Sequence, residues 1–342
     1  MCLYPKLVLN PKYLPNKKNK GKPPSLTNNA VKFVPIGCGK CIECQRQKAR
    51  NWQIRLQEEL KSNKQKPYFM AFTFSPDGYT KCYNAVKNKH LNAYETDNAI
   101  VKYAVRHFLE IWRKHNKKSV KHWLVSELGH GNTEHVHIHG IIWGEPEQIR
   151  KYWKYGMTWI GDKRNNFVNN QTINYIVKYI TKTDPKHSEY KPVVLCSAGI
   201  GSNYINTPNS KLNQFKNDKT DETYKFKNGH KANLPIYYRN KIYSEDHKET
   251  LWINKINKQE RWILGQRIKI DTKEGLNNYY KLLYDSQAKN KRLGYGDDKI
   301  NWDLKIYQNE MRLLKQYERG VISEGEMNRA KQAYQNYVNK KR

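Results

Sequence analysis

Residues 134–143 read Glu-His-Val-His-Ile-His-Gly-Ile-Ile-Trp, with a histidine at every second position and apolar residues between them. Successive side chains of a β-strand point to opposite faces of the sheet. A strand here therefore predicts His135, His137 and His139 on one face, with the apolar residues turned toward a core. Imidazoles two residues apart on one strand face are a ready pair of metal ligands.

A second pattern lies on a helix predicted from about residue 170 to 182. Tyr175 and Tyr179 are one turn apart and share a face. The apolar residues of this helix centre about 130° away from the tyrosines by helical periodicity, which favours tyrosines outside the core. Lys178 and Lys182 lie beside them. A phenol becomes a nucleophile only when a cation lowers its pKa or a base removes its proton, so basic neighbours suit attack by tyrosine.

The run His137-Ile138-His139-Gly140, followed by a Tyr-x-x-Lys-Tyr-x-x-Lys helix, resembles the HUH endonucleases that start rolling-circle replication. Within that superfamily the chain is most similar to the replication initiators of small single-stranded DNA phages, the gokushovirus-like microviruses. Three further stretches carry the resemblance, which spans roughly residues 1 to 205: Met1-Cys2-Leu3-Tyr4-Pro5, Cys38-Gly39-Lys40-Cys41-Ile42-Glu43-Cys44 and Ser197-Ala198-Gly199-Ile200-Gly201.

The resemblance implies a ferredoxin-like core and a site-specific, metal-dependent nicking and joining of single-stranded DNA. Tyr175 and Tyr179 would form a 5′-phosphotyrosine, with Lys182 protonating the leaving oxygen or stabilising charge. For Lys178 and Lys182, plain attraction of phosphate is an equal alternative. The expected partners are the phage origin, single-stranded or supercoiled, and a host polymerase or helicase, in the cytoplasm of a bacterial host.

For the metal, His137 and His139 offer two nitrogens, and Glu127 on the preceding predicted strand offers a carboxylate across the hairpin. Such a mixed set suits Mn²⁺ or Mg²⁺, although imidazole alone prefers zinc. His135 shares the predicted face, so it is an alternative third ligand, or a contact to DNA.

A cysteine cluster predicts a separate, structural metal site. Cys38, Cys41 and Cys44 have a spacing that wraps a tetrahedral zinc ion, and Cys2 is the candidate fourth ligand. The alternative is a set of free thiols near a helix start. Six cysteines in 342 residues are too few and too unevenly spread for a disulfide scaffold.

The charge balance points to a polyanionic partner. The chain has 63 Lys and Arg against 31 Asp and Glu, a formal net charge of +32. Nucleic acid is the usual partner of such a chain, with an anionic membrane or a merely basic surface as alternatives. The sequence has no apolar stretch of transmembrane length and no apolar run typical of a signal peptide.

The chain order of predicted elements favours an α+β fold, with helices packed on one face of an antiparallel sheet. We expect a basic arm, cysteine cluster and helix over 1–66, an endonuclease core over 67–205, and a basic linker with a helical region over 206–342. The helix after Cys44 carries basic residues that either contact phosphate or form a solvated face: Arg46, Lys48, Arg50 and Arg55.

Finer expectations concern the C-terminal third. Residues 206–233 suggest a flexible linker, and residues 234–238 a short strand. Helices are expected near 276–290, 302–318 and 323–341.

Two rival functions use the same residues differently. The first is a basic, zinc-stabilised nucleic-acid-binding protein that leaves DNA intact. The second is a zinc hydrolase built on His-x-His, which needs a water-activating carboxylate rather than tyrosines and leaves the net charge unexplained.

Overall fold

The computed structural model describes residues 2–87, 91–129, 134–160, 166, 168–182, 187, 190–296, 312–313, 316–317 and 319–339. The strands are β1 (Lys6–Leu9), β2 (Phe33–Ile36), β3 (Tyr68–Phe72), β4 (Lys121–Leu128), β5 (Val136–Trp143), β6 (Thr158–Trp159), β7 (Val194–Cys196), β8 (Thr223–Lys225), β9 (Lys231–Asn233), β10 (Glu260–Ile263) and β11 (Gln266–Lys269). The helices are α1 (Ile42–Ser62), α2 (Pro76–Val86), α3 (Ala93–Asn116), α4 (Pro146–Tyr152), α5 (Asn170–Thr181), α6 (Pro208–Lys211), α7 (Ile236–Ile242), α8 (Glu245–Asn257), α9 (Lys273–Arg292) and α10 (Glu324–Asn339).

The chain divides into two compact units. Unit 1 comprises the described residues of 1–59 and 201–299, and unit 2 those of 60–200 and 300–342. Within the described residues, no helix is both long and apolar enough to cross a membrane.

Unit 2 is built on an antiparallel five-stranded sheet in the order β6-β3-β5-β4-β7. The predicted α+β fold is confirmed. β5, the histidine strand, lies at the centre, and its register pairs Glu127 with His137 and Ala71 with His139.

Helices cover both faces of this sheet, whereas the sequence pattern indicates one. Ile138 and Ile142 of β5 pack in a core with the apolar side of α3, including Ile100 and Phe108. The alternate residues of β5 face α5, whose Tyr179 ring contacts His139. The second covered face follows from the apolar side of α5, because its isoleucines are buried and need a partner surface.

A buried ion cluster precedes β5 and holds its start in place. Arg312 is 1% exposed and pairs with Asp97 of α3 and with Glu134. Tyr79 donates a hydrogen bond of 2.5 Å to the same aspartate. A buried charge left without its partner is strongly destabilising, so these contacts fix the residue just before the histidine strand.

Unit 1 joins the N-terminal arm to the segment after residue 200. Strands β1 and β2 form an antiparallel pair, and Lys12 and Tyr13 bind Glu249 of α8. A core of buried residues from α1, the hairpin β8–β9 and α7 includes Ile54, Tyr224 and Tyr238.

The C-terminal third differs in part from expectation. Residues 206–233 contain α6 and the pair β8–β9, not a flexible linker, because Tyr224 and Ala232 bury their side chains. The expected strand at 234–238 is wrong, since α7 begins at Ile236. Helices α9 and α10 confirm two expected helices, and the one near 302–318 lies mostly outside the described residues.

Candidate metal and tyrosine site

The central feature of the site is a carboxylate between two imidazoles. Glu127 Oε2 lies 3.2 Å from Nε2 of His137 and 3.2 Å from Nε2 of His139. The ligand atoms of these three residues lie within 4.8 Å of one another. The side chain of Glu127 is only 11% exposed, so the group lies in a sheltered position on the sheet.

The hydrogen bonds of His137 favour a cation in this group. His137 Nδ1 lies 3.2 Å from the carbonyl oxygen of His135, and a carbonyl can only accept, so Nδ1 donates. In the neutral imidazole Nε2 then carries a bare lone pair. Two acceptors, Nε2 and the carboxylate of Glu127, face each other at 3.2 Å. A metal ion or a proton between them removes the repulsion, and the donor set of two nitrogens and one oxygen fits a divalent cation.

The structure does not bring His135 into this group. β5 begins at Val136, and Glu134 has a left-handed φ of 44°, so the alternation of the strand does not extend back to His135. The His135 side chain is exposed, and partial burial of the ring together with the positive charges of Arg319 and Arg312 lowers its pKa.

Lys182 completes the charge balance of Glu127. Its Nζ lies 2.5 Å from Glu127 Oε1. Burial alone would raise the pKa of Glu127, but hydrogen bonds with His137, His139 and Lys182 outweigh it and hold that pKa well below its usual range. The carboxylate is therefore ionised at neutral pH and available as a metal ligand.

The two tyrosines of α5 lie over this group. The Tyr179 ring stacks on the His139 ring, with centroids 4.7 Å apart and planes at 3°. Tyr179 Oη donates to Tyr175 Oη over 2.8 Å. Tyr175 is 53% exposed, whereas Tyr179 is half-buried. The apolar side of α5, buried against the sheet, fixes this placement, as the helical periodicity predicted.

The hydroxyl groups differ in their surroundings. Burial, the hydrogen bond with Tyr175 and the negative charge of Glu127 all raise the pKa of Tyr179. Lys182 Nζ lies 5.6 Å from the centre of the Tyr179 ring, and Lys178 is exposed on the same helix. Without a bound cation, Tyr179 is thus a neutral donor.

Phe69 is a site residue that the sequence reasoning missed. Its ring stacks with His139 at 6.1 Å and meets the Tyr175 ring edge-on at 6.3 Å. The signal was present in the strand alternation, because Phe69 and Ala71 share the face that pairs with His139.

Four thiols meet in unit 1, as the sequence predicted, with Cys2 brought back by the arm. The Sγ atoms of Cys2, Cys38, Cys41 and Cys44 lie within 4.8 Å of one another, and all four cysteines are free of disulfides. Cys2 Sγ and Cys41 Sγ are 3.8 Å apart, close to the tetrahedral edge of about 3.8 Å given by a zinc–sulfur bond of about 2.3 Å.

Backbone groups support thiolate character in this cluster. The amides of Tyr4 and Cys38 donate to Cys2 Sγ at 3.3 and 3.2 Å. Hydrogen bonds with Cys41 and Cys44, and then those from the backbone, overcome burial and lower the pKa of Cys2 to about 3. Since a thiolate is the metal-binding form, this environment fits a bound metal ion.

The basic residues of α1 divide into two groups. Arg46, Lys48 and Arg50 are exposed. The guanidinium of Arg55 instead stacks between two rings, 4.2 Å from the centre of Trp52 and 4.0 Å from that of Tyr237. Arg55 therefore packs within unit 1, while the other three remain candidates for phosphate contacts.

Comparison with known proteins gives one match. Residues 67–184 match the family model of the replication-associated protein ORF2. Searches of curated proteins and of solved structures gave no significant match. The matched segment is about a third of the chain and contains Glu127, both histidines of the metal group and both tyrosines. The segment that carries the site is thus similar to a family of replication-associated proteins, which confirms the resemblance to replication initiators predicted from the sequence.

Proposed function

We propose that the protein is a site-specific HUH-type nickase and joining enzyme that initiates rolling-circle replication of a small single-stranded DNA phage. The observation that carries this proposal is the placement of Tyr175 and Tyr179 over the group of Glu127, His137 and His139. A nucleophile pair and a divalent-cation site on one sheet face are the two parts that phosphoryl transfer to tyrosine requires.

Glu127, His137 and His139 hold Mg²⁺ or Mn²⁺ in this proposal. The bound ion supplies charge neutralisation at the scissile phosphate. Glu127 is kept ionised by its three neighbours, and His137 is kept in the correct tautomer by the His135 carbonyl. The metal group thus needs no rearrangement of the chain before substrate binds.

The reaction exchanges one phosphodiester for another. A tyrosine oxygen bonds to phosphorus and gives up its proton, the bond between phosphorus and the 3′ oxygen breaks, and the released 3′ oxygen takes up a proton. Lys182, held beside Glu127 and Tyr179, donates that proton. The products are a 5′-phosphotyrosine and a free 3′-hydroxyl, so the step is reversible and a host polymerase can extend the 3′ end.

Two tyrosines within hydrogen-bond distance serve successive cuts. While one tyrosine holds the 5′ end, the other can attack the regenerated origin. Lys178 attracts the phosphate backbone near this site. The cysteine cluster holds a structural zinc in unit 1, remote in sequence from the chemistry. The partners are the phage origin DNA and the host replication machinery, in the bacterial cytoplasm.

The test is a denaturing gel after incubation with labelled circular single-stranded phage DNA and Mn²⁺. We expect a protein–DNA adduct that is lost with EDTA and in the Tyr175→Phe, Tyr179→Phe double variant. Cleavage that survives the double variant would indicate water-based hydrolysis. A shifted but intact circle under every metal would favour the non-catalytic nucleic-acid-binding protein.

A further inference from the structure

An exposed aromatic residue lies in the same row of the sheet as the metal group. The register pairs Trp159 of β6 with Ala71 of β3, and Ala71 with His139 of β5. Residues paired in this way point to the same face of an antiparallel sheet. Trp159 therefore faces the side of the sheet that carries the metal group, two strands away, about 10 Å at the usual strand spacing.

The surroundings of Trp159 leave its ring available. Its side chain is 58% exposed, and Met157, on the same face of the same strand segment, is 77% exposed. Between Trp159 and His139 the row holds only the methyl group of Ala71, so the floor between them is low. An exposed apolar side chain alone is ordinary, but here two of them adjoin a polar site.

A continuous set of rings links Trp159 to the tyrosines. Trp159 meets Phe69 edge-on at 6.3 Å, and Phe69 contacts both His139 and Tyr175. Aromatic faces stack on unpaired bases regardless of sequence, and basic groups nearby hold the backbone. The net charge of +32 and the exposed Lys178 supply that attraction.

We infer that Trp159, supported by Phe69, is a stacking subsite for an unpaired base of single-stranded DNA, within about three nucleotides of the scissile phosphate at a stacked rise of about 3.4 Å. The inference rests on the proposed function, since it takes the DNA strand across the sheet from the metal group to β6. The ligand class is a single strand, because bases in a duplex have no free face.

The test measures binding separately from cutting. In the Tyr175→Phe, Tyr179→Phe background, fluorescence anisotropy compares a labelled thymidine oligonucleotide of about 20 residues with an abasic strand of equal length, both longer than most single-domain sites. We expect Trp159→Ala to weaken binding of the thymidine strand about 5- to 140-fold, the effect of losing one base–aromatic stack. Binding of the abasic strand should not change.

Three further variants control this measurement. Trp159→Phe keeps a ring and should retain most of the affinity, whereas Trp159→Leu keeps only apolar area and should behave like Trp159→Ala. Trp262→Ala removes a tryptophan that is 48% exposed on β10, and should bind like its parent. Thermal melting verifies that each variant folds.

The outcomes separate the subsite from the nicking reaction. If Trp159→Ala binds the thymidine strand like its parent, or loses both strands equally, the subsite is overturned, even when the unmutated chain forms the covalent adduct. If binding depends on Trp159 but no adduct forms, the subsite is upheld and the nicking reaction fails. If the parent binds neither strand, both are overturned.

Discussion

Tyr175 and Tyr179 are chemically unequal although the sequence presents them as a repeated motif. Tyr175 is the more exposed, and its oxygen accepts the hydrogen bond donated by Tyr179. A donated hydrogen bond stabilises the developing negative charge on the accepting oxygen. Tyr179 is buried further, with its ring on His139. The residue that meets an incoming strand first is therefore Tyr175.

We expect Tyr175→Phe to abolish most adduct formation in the first cleavage of a circular single strand. Tyr179→Phe should retain it at a rate about 2- to 10-fold lower, the effect of one hydrogen bond of about 0.5–1.5 kcal/mol. Single-turnover adduct formation with Mn²⁺ measures both rates. The reverse order of the two variants would assign the first cut to Tyr179.

His122 of β4 should make unit 2 sensitive to acid. Burial lowers the pKa of His122 below its ordinary 6.5, so the unfolded chain binds its proton more readily than the folded chain. Stability is therefore complete above pH 6.5 and falls as pH drops through the window below it. Urea unfolding at pH 7 and pH 5 should show this loss, and His122→Gln should reduce it. An equal loss in both proteins would assign the effect to other groups.

At the scale of elements, periodicity predicted what alternation or helical spacing controls. The bounds of β4, β5 and α5 follow the sequence closely because each element has one strongly apolar face. Pro76-Asp77-Gly78 looks like a turn after β3, yet it begins α2. Ser75 caps that helix by accepting from the Gly78 amide at 3.1 Å, and proline is well placed in a first helical turn. A motif that suits both roles needs the tertiary contacts to decide.

Gly140 should be essential to the packing of β5. A Cβ there would lie 2.3 Å from the Trp123 carbonyl oxygen and 2.8 Å from Leu124 Cα, both on β4. We expect Gly140→Ala to destabilise the protein by at least the typical cost of overpacking, about 1–3 kcal/mol. In α10, a Cβ on Gly325 meets only the Arg329 side chain at 3.6 Å, so Gly325→Ala should instead stabilise by about 0.4–1 kcal/mol. Equal thermal shifts would contradict this difference.

At the scale of the molecule, contacts that are distant in sequence decide what composition cannot. The sequence brought Cys2 to the other three cysteines by chemical reasoning, because a tetrahedral site needs a fourth ligand. The joining of 1–59 with 201–299 in unit 1 had no local signal, since it depends on pairs such as Lys12 with Glu249. For the same reason the buried partner of Asp97, Arg312, could not be read from residue spacing.

The cysteine cluster should contain one zinc ion per chain and stabilise unit 1. Zinc in small cysteine sites contributes apparent binding free energies of about 10–16 kcal/mol, so its removal should lower the unfolding temperature strongly. Cys44→Ser should lose the metal by elemental analysis. Cys196→Ser, a change at a cysteine of β7 outside the cluster, should retain it. Full metal-free protein with unchanged melting would leave the cluster as four thiols.

The net charge of +32 should appear as a steep salt dependence of single-strand binding. Each phosphate neutralised by a cation contributes about −0.7 to the slope of log K against log salt for a single strand. If Arg46, Lys48 and Arg50 each contact a phosphate, their combined change to alanine should reduce the slope by about 2. Arg55→Ala, on the same helix but stacked between Trp52 and Tyr237, should lower stability and leave the slope unchanged. An unaltered slope in the triple variant would place the DNA away from this face of α1, because the loss of three contacting charges cannot leave counterion release unchanged.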